Sequence, residues 1–190
     1  MLSRINNKKL KKALPKVFIF FTILLSTKLL SLPQCPDDPT EVWHDCSGSY
    51  LYDGGEMYSG EWKENLYHGQ GVFFYQNGDK YIGSFQKDLA HGPGTYSYKN
   101  GDLYVGDWFE GKRHGKGAYL HSVGEWENDL YVGDFKNDKK DGTGLYTYTD
   151  GVRFVGEFKN DLKEGLGKYI FLDGTSLQVK CSEDNCLEIE

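Results

Sequence analysis

The chain has 190 residues, among them 14 Tyr, 11 Phe, 4 Trp and 24 Gly but only 5 Pro, a mix that favours many short strands and tight turns over helices. All 28 acidic residues follow Ser31, whereas seven of the 22 basic residues precede it, so the stretch from Leu32 onward carries 15 basic and 28 acidic groups, a net −13. A body that acidic repels phosphate backbones and anionic headgroups, which argues against nucleic acid as a partner and against an anionic membrane except through the N-terminal segment.

Residues 1–31 read as a targeting segment. Arg4, Lys8, Lys9, Lys11, Lys12 and Lys16 precede an apolar run from Val17 to Leu25, the order of a secretory signal. The run falls short of the roughly 20 residues that span a bilayer, and Lys28 interrupts its continuation. Ser26 and Ser31 are small enough for a cleavage site, but each has Leu two residues upstream, so signal peptide and uncleaved anchor both stay open. Cys35 is preceded by Pro33-Gln34, a poor context for lipidation. An exported chain (periplasmic, cell-envelope or secreted) with Cys35, Cys46, Cys181 and Cys186 is expected to form two disulfides, and spacing alone leaves all three connectivities open.

From residue 48 the chain repeats. Tyr58-Ser-Gly-Glu-Trp62 recurs as Tyr81-Ile-Gly-Ser-Phe85, Tyr104-Val-Gly-Asp-Trp108, Tyr131-Val-Gly-Asp-Phe135 and Phe154-Val-Gly-Glu-Phe158, at spacings of 23, 23, 27 and 23. A Gly-x-Gly pattern keeps the same beat after His68, His91, His114, Asp141 and Glu164. Turn signals such as Asn77-Gly78, Asn100-Gly101, Asp150-Gly151 and Asp173-Gly174 lie between. Each unit predicts a hairpin. A three-residue loop, Lys99-Asn100-Gly101, pairs Tyr96 with Tyr104 and Gly94 with Gly106, with the glycine in the left-handed region. That register gathers 21 of the aromatic rings, from Tyr50 to Phe171, on one face of the sheet. The glycines then leave room for rings of the next strand to lie over the backbone.

The ends depart from the pattern as caps should. Leu177, Val179 and Cys181 stand at the Tyr, Gly and Trp positions of a sixth hairpin, and Cys46 stands where inner units have their first Gly. Six hairpins at ~4.8 Å per strand make a sheet roughly 50 Å across, which separates the two ends. Cys35–Cys46 and Cys181–Cys186 are therefore the expected bonds, each closing an exposed edge. The organisation expected is a targeting segment (1–31), an N-terminal cap (32–47), a repeat array (48–180) and a C-terminal cap (181–190).

These residues resemble the MORN repeat, whose units read Gly-x-Gly-x-Tyr, an Asp-Gly turn, then Tyr-x-Gly-x-Trp/Phe. The resemblance covers residues 48–180. It implies an all-β, elongated, single-layer antiparallel sheet of about six consecutive hairpins, with roles in protein binding, self-association or tethering. The fourth unit departs from it, because His121 replaces the second Tyr and four extra residues lengthen the hairpin around Ser122–Leu130.

No catalytic, metal or cofactor site is expected. His68, His91 and His114 recur in register, but equivalent positions lie two strands, roughly 10 Å, apart and cannot share a Zn²⁺. They read as turn residues before a Gly. Asp134 and Asp138 occupy repeated surface and turn positions without a distinct partner set, and Asn137–Gly142 lacks the alternating acids of a calcium loop. Trp126, in the one non-periodic loop, either packs back on the sheet or stands exposed as a contact residue. Candidate interaction residues are Trp126, Glu125, His121, Tyr98, Tyr148 and Trp108. The expected partner is another protein or a second copy of the chain. Glycan binding through the aromatic rows is the alternative, and membrane-surface association the second.

Overall fold

The computed structural model describes residues 32–38 and 40–189; the targeting segment expected at 1–31 lies outside the described residues. Strands β1 (Cys46–Leu51), β2 (Met57–Lys63), β3 (Leu66–Phe74), β4 (Lys80–Gln86), β5 (Leu89–Ser97) and β6 (Leu103–Phe109) come first. They are followed by β7 (Lys112–Leu120), β8 (Leu130–Lys136), β9 (Lys139–Thr147), β10 (Arg153–Lys159), β11 (Leu162–Ile170), β12 (Ser176–Ser182) and β13 (Asn185–Glu188). All thirteen form one antiparallel sheet in sequence order, and no helix occurs among the described residues. The C-terminal cap thus supplies one strand beyond the six hairpins.

Two kinds of turn alternate. At one side of the sheet the expected three-residue loops occur: Gly101 donates to the Tyr98 carbonyl at 2.9 Å, Tyr98 donates to the Asp102 carbonyl at 3.0 Å, and Gly101 has φ +96°. Tyr96 pairs with Tyr104 and Gly94 with Gly106, the register read from parity. At the other side are two-residue turns in which both φ angles are positive, such as Glu64-Asn65 (55°, 62°) and Asn137-Asp138 (50°, 71°), the primed geometry that matches strand twist.

The histidines do not lie in these turns. His68, His91 and His114 sit inside β3, β5 and β7, next to a bulge. Gly60 pairs with Gly71, but Glu61 already pairs with His68, so β3 carries two extra residues opposite β2. Two residues preserve side-chain parity. The aromatic face therefore continues through the bulge and gains a row that the repeat pattern hid: Tyr67, Ala90, Arg113, Lys140 and Lys163, paired with Trp62, Phe85, Trp108, Phe135 and Phe158.

The core is a file of rings along this face. Tyr58, Tyr81, Tyr104, Tyr131 and Phe154 are fully buried, each worth about 1.5–3 kcal/mol of transfer free energy. The side chain of Tyr104 covers Gly106 of its own strand and Gly117 of the next; a Cβ at Gly106 would stand 2.5 Å from the phenol oxygen, and one at Gly117 2.6 Å from the phenol oxygen and a ring carbon. The ring over Gly106 thus comes from the same strand, not the following one. The phenol of Tyr104 donates to the Asp107 carbonyl at the bulge (2.9 Å), as Tyr58, Tyr81 and Tyr131 do to Glu61, Ser84 and Asp134. The opposite face exposes a row of Ile82, Val105, Val132 and Val155.

Both ends are tied. Cys35 and Cys46 are within bonding distance, with Cα atoms 4.9 Å apart, and so are Cys181 and Cys186, at 3.9 Å. Cys46 pairs with Trp62 in the register that Gly69 and Gly92 occupy in inner units, and Cys186 sits across from Cys181 on the terminal strand.

Candidate interaction face

Aspartates join each repeat to the next along both sides of the sheet. Asp79, Asp102 and Asp129 follow the first three interior loops. Their Oδ1 atoms accept the N–H of Lys99, Ser122 and Thr149, at 2.7–2.8 Å. Their Oδ2 atoms accept the hydroxyls of Tyr96, Tyr119 and Tyr146, at 2.7–2.9 Å. Burial pushes the Asp79 and Asp102 carboxyls up, but the donated hydrogen bonds outweigh it and hold both below the ordinary carboxylate range. On the other side Asn65, Asp88, Asp138, Asp161 and Asp184 accept the N–H of Trp43, Tyr67, Arg113, Lys140 and Lys163. Gly111 breaks this series.

The hidden row places cations over rings in the C-terminal half. The Arg113 guanidinium lies 5.3–5.7 Å from the centres of Tyr104, Tyr119 and Phe135. Lys140 Nζ lies 4.8 Å from Tyr146 and 5.4 Å from Tyr131, and Lys163 Nζ lies 5.7 Å from Phe154 and 5.8 Å from Tyr148. Lys163 also reaches Asp184 at 3.3 Å. Burial lowers the Lys140 ammonium from its ordinary value.

The extended loop closes like the others at its base, since His121 donates to the Asp129 carbonyl at 3.0 Å. Beyond it Trp126 is 55% exposed, and its ring stands 6.0 Å from that of His121, which in turn tilts against Tyr119 at 4.7 Å. Trp126 is thus exposed and lightly propped, between the two alternatives. His121, Trp126, Lys140, Tyr146, Tyr148 and Lys163 line a cleft of ≈330 Å³. Burial keeps His121 below its ordinary value despite nearby Asp102.

Three of the residues singled out from the sequence (Trp126, His121 and Tyr148) therefore meet in one cleft. Glu125 is exposed on the same loop. Trp108 is buried and lines a different cleft, and Tyr98 lies beside Asp79, Lys99 and Asn100. Sequence reasoning missed Arg113, Lys140 and Lys163. Counting parity back from Gly117, Gly144 and Gly167 through the preceding residues would have found them. Among the described residues no group of three or more His, Cys, Asp or Glu is placed to hold a metal ion, and no helix is long and apolar enough to cross a membrane.

A one-layer file of hairpins, each stapled to the next by carboxylates and buried rings, defines a repeat array. The chain belongs to the MORN repeat family: the family model matches residues 58–80, 81–103, 104–122, 131–153 and 154–176, more than half of the chain. A search of curated proteins gives no match. Among solved structures the chain is similar to the SAS-4 (dCPAP) TCP domain in complex with a proline-rich motif of Ana2 (dSTIL) from Drosophila melanogaster. The identity is 12%, with 72% of each chain covered and a TM-score of 0.45. MORN repeats commonly serve as interaction modules. The two cysteine pairs at bonding distance accord with an oxidising compartment.

Proposed function

We propose that this chain is an exported, non-enzymatic module of the cell envelope or secreted space that binds another protein or itself through its aromatic face. Residues 1–31 act as its signal peptide or anchor. The observation that carries the reading is Trp126, half exposed on the only extended loop of the array and set over a cleft of Tyr146, Tyr148, His121 and two lysines. Exposed tryptophans beside well-packed pockets are the residues that dominate protein interfaces. The regular rows serve another purpose. Their rings cover one another edge to face, as Tyr104 and Trp108 do at 5.3 Å, which leaves little flat surface for a sugar to stack on. Glycan binding is accordingly the weaker reading.

The test compares wild type and Trp126→Ala by light scattering after size exclusion and by crosslinking in the native envelope. The variant is expected to keep its unfolding midpoint within about 0.5 kcal/mol of stability, as exposed sites do, while losing the crosslinked species. A monomer that crosslinks to nothing, or a variant that crosslinks as well as wild type, would refute the proposal.

A further inference from the structure

One position of the array breaks its pattern by omission. Four of the five residues in the hidden row lay a long side chain across rings. Tyr67 stacks on Tyr58 at 4.0 Å, and Arg113, Lys140 and Lys163 place cations over their neighbours. The fifth is Ala90. The rings that it would cover, Tyr81, Tyr96 and Trp108, instead line a cleft of ≈450 Å³ together with Tyr67, Tyr75 and Asp88.

The same repeat is altered at a second place. Where Asn65, Asp88, Asp138, Asp161 and Asp184 accept a backbone N–H from the previous unit, Gly111 has no side chain, and only its own N–H reaches the Ala90 carbonyl, at 2.9 Å. The larger indole of Trp108 does not account for the small residue. Trp62 holds the same position in the first hairpin, and Trp43, the counterpart of Ala90 there, packs against it at 4.8 Å. The two indoles also differ in their hydrogen bonding. Trp62 Nε1 donates to the Gly48 carbonyl at 3.0 Å, whereas Trp108 Nε1 is buried with no partner.

We infer that the cleft at Ala90 receives an arginine or lysine side chain from a partner protein, which supplies from outside the cation that Arg113, Lys140 and Lys163 supply from within. The chemistry is present three times over in the next repeats, where the same ring set takes a guanidinium once and an ammonium twice. Asp88 lines the cleft and holds the Tyr67 N–H through Oδ1; its Oδ2 makes no hydrogen bond among the described residues and faces no fixed cation. The −13 charge of the body draws basic segments toward it. This inference rests on the aromatic face being the interaction face.

The probe is acetyl-Gly-Arg-Gly-amide titrated into the full ¹⁵N-labelled chain, with the neutral isostere acetyl-Gly-citrulline-Gly-amide as comparison. The readout is the Trp108 indole N–H resonance, assigned by its loss in Trp108→Phe. The arginine peptide is expected to shift that resonance saturably and to bind at least five-fold tighter than the citrulline peptide. Ala90→Arg, which fills the cleft in the manner of Arg113, is expected to abolish the response with the Trp62 resonance unmoved. Ala90→Leu is a second, uncharged block, so a folding failure of the arginine variant leaves the test intact. Equal response to citrulline, a response that survives both blocks, or none to either peptide would overturn the inference. Loss of crosslinking in Trp126→Ala alongside any of these outcomes would sink this inference while leaving the wider function standing.

Discussion

Asp102 reaches out of its own hairpin to accept the backbone N–H of Ser122 at 2.8 Å. Its other oxygen takes the hydroxyl of Tyr119 at 2.9 Å, so one carboxylate fixes both the next loop and a ring of the next strand. The side chain is nearly buried, and both bonds are charge-assisted. Asp102→Ala leaves two donors without acceptors and is expected to cost about 1.5–3 kcal/mol in urea unfolding. The pH dependence follows from the depressed carboxyl: its stabilisation is present above the ordinary carboxylate value near 3.8 and disappears as pH falls through the lower folded value. Asp102→Asn should therefore lose less stability than wild type when acidified below pH ~4. Parallel acid melts check this.

How legible this was in the sequence differs between levels. The hairpins, the loop register at Tyr96 and Tyr104, and the aromatic parity follow from local spacing, because a strand alternates faces every residue. The Asp102–Ser122 bond does not, since the two residues lie 20 apart and meet only when successive loops stack. Arg113, Lys140 and Lys163 were missed for a different reason. The Gly-x-Gly segments look like turns, yet they are two-residue bulges inside continuous strands, so the face extends beyond the point where the repeat pattern stops. Trp126 was visible as a break in period, but its exposure was not, because a loop's direction is set by contacts such as that with His121.

Gly117 should tolerate no side chain. A methyl there would meet two ring carbons and the hydroxyl oxygen of the buried Tyr104, all within 2.8 Å, and the ring is confined by the backbone below and by Phe135 above at 5.1 Å. Gly117→Ala is expected to destabilise by about 1–3 kcal/mol or more, the usual cost of overpacking. Gly54 is the matched control, since nothing lies within 4 Å of its virtual Cβ and its φ is not positive. Gly54→Ala should unfold at the wild-type midpoint, and equal midpoints for both variants would contradict the ring-over-glycine packing.

The C-terminal disulfide should act locally. β13 pairs with β12 through four residues only, and without the Cys181–Cys186 bond that short strand has little to hold it. Closing so small a loop contributes about 2 kcal/mol by chain entropy. Cys181→Ser with Cys186→Ser is expected to abolish amide-exchange protection along β13 and at the β12 amides that pair with it, while β12 stays paired with β11 and β5 to β8 keep their protection. It also uncovers the β12 edge, and rising self-association with concentration is the accompanying sign.

His121 gives the stability of the array a dependence on mild acid. Burial keeps its imidazole below the ordinary value near 6.5, with Asp102, 3.9 Å away, opposing in part. Above pH ~6.5 neither folded nor unfolded chain is protonated there, so the residue makes no pH-dependent contribution. As pH falls from that value the unfolded chain takes the proton first, and stability drops until the lower folded value is reached. His121→Tyr restores the residue found at Tyr75, Tyr98 and Tyr148 and removes this slope. The other histidines are common to both proteins and cancel. Urea midpoints at pH 7.5 and 5.0 should therefore fall further for wild type than for His121→Tyr. Because the imidazole stands 6.0 Å from Trp126, the fluorescence of that indole should follow the same titration in wild type and stay flat in the variant. An identical fall in both midpoints would mean that His121 titrates as it does in the unfolded chain.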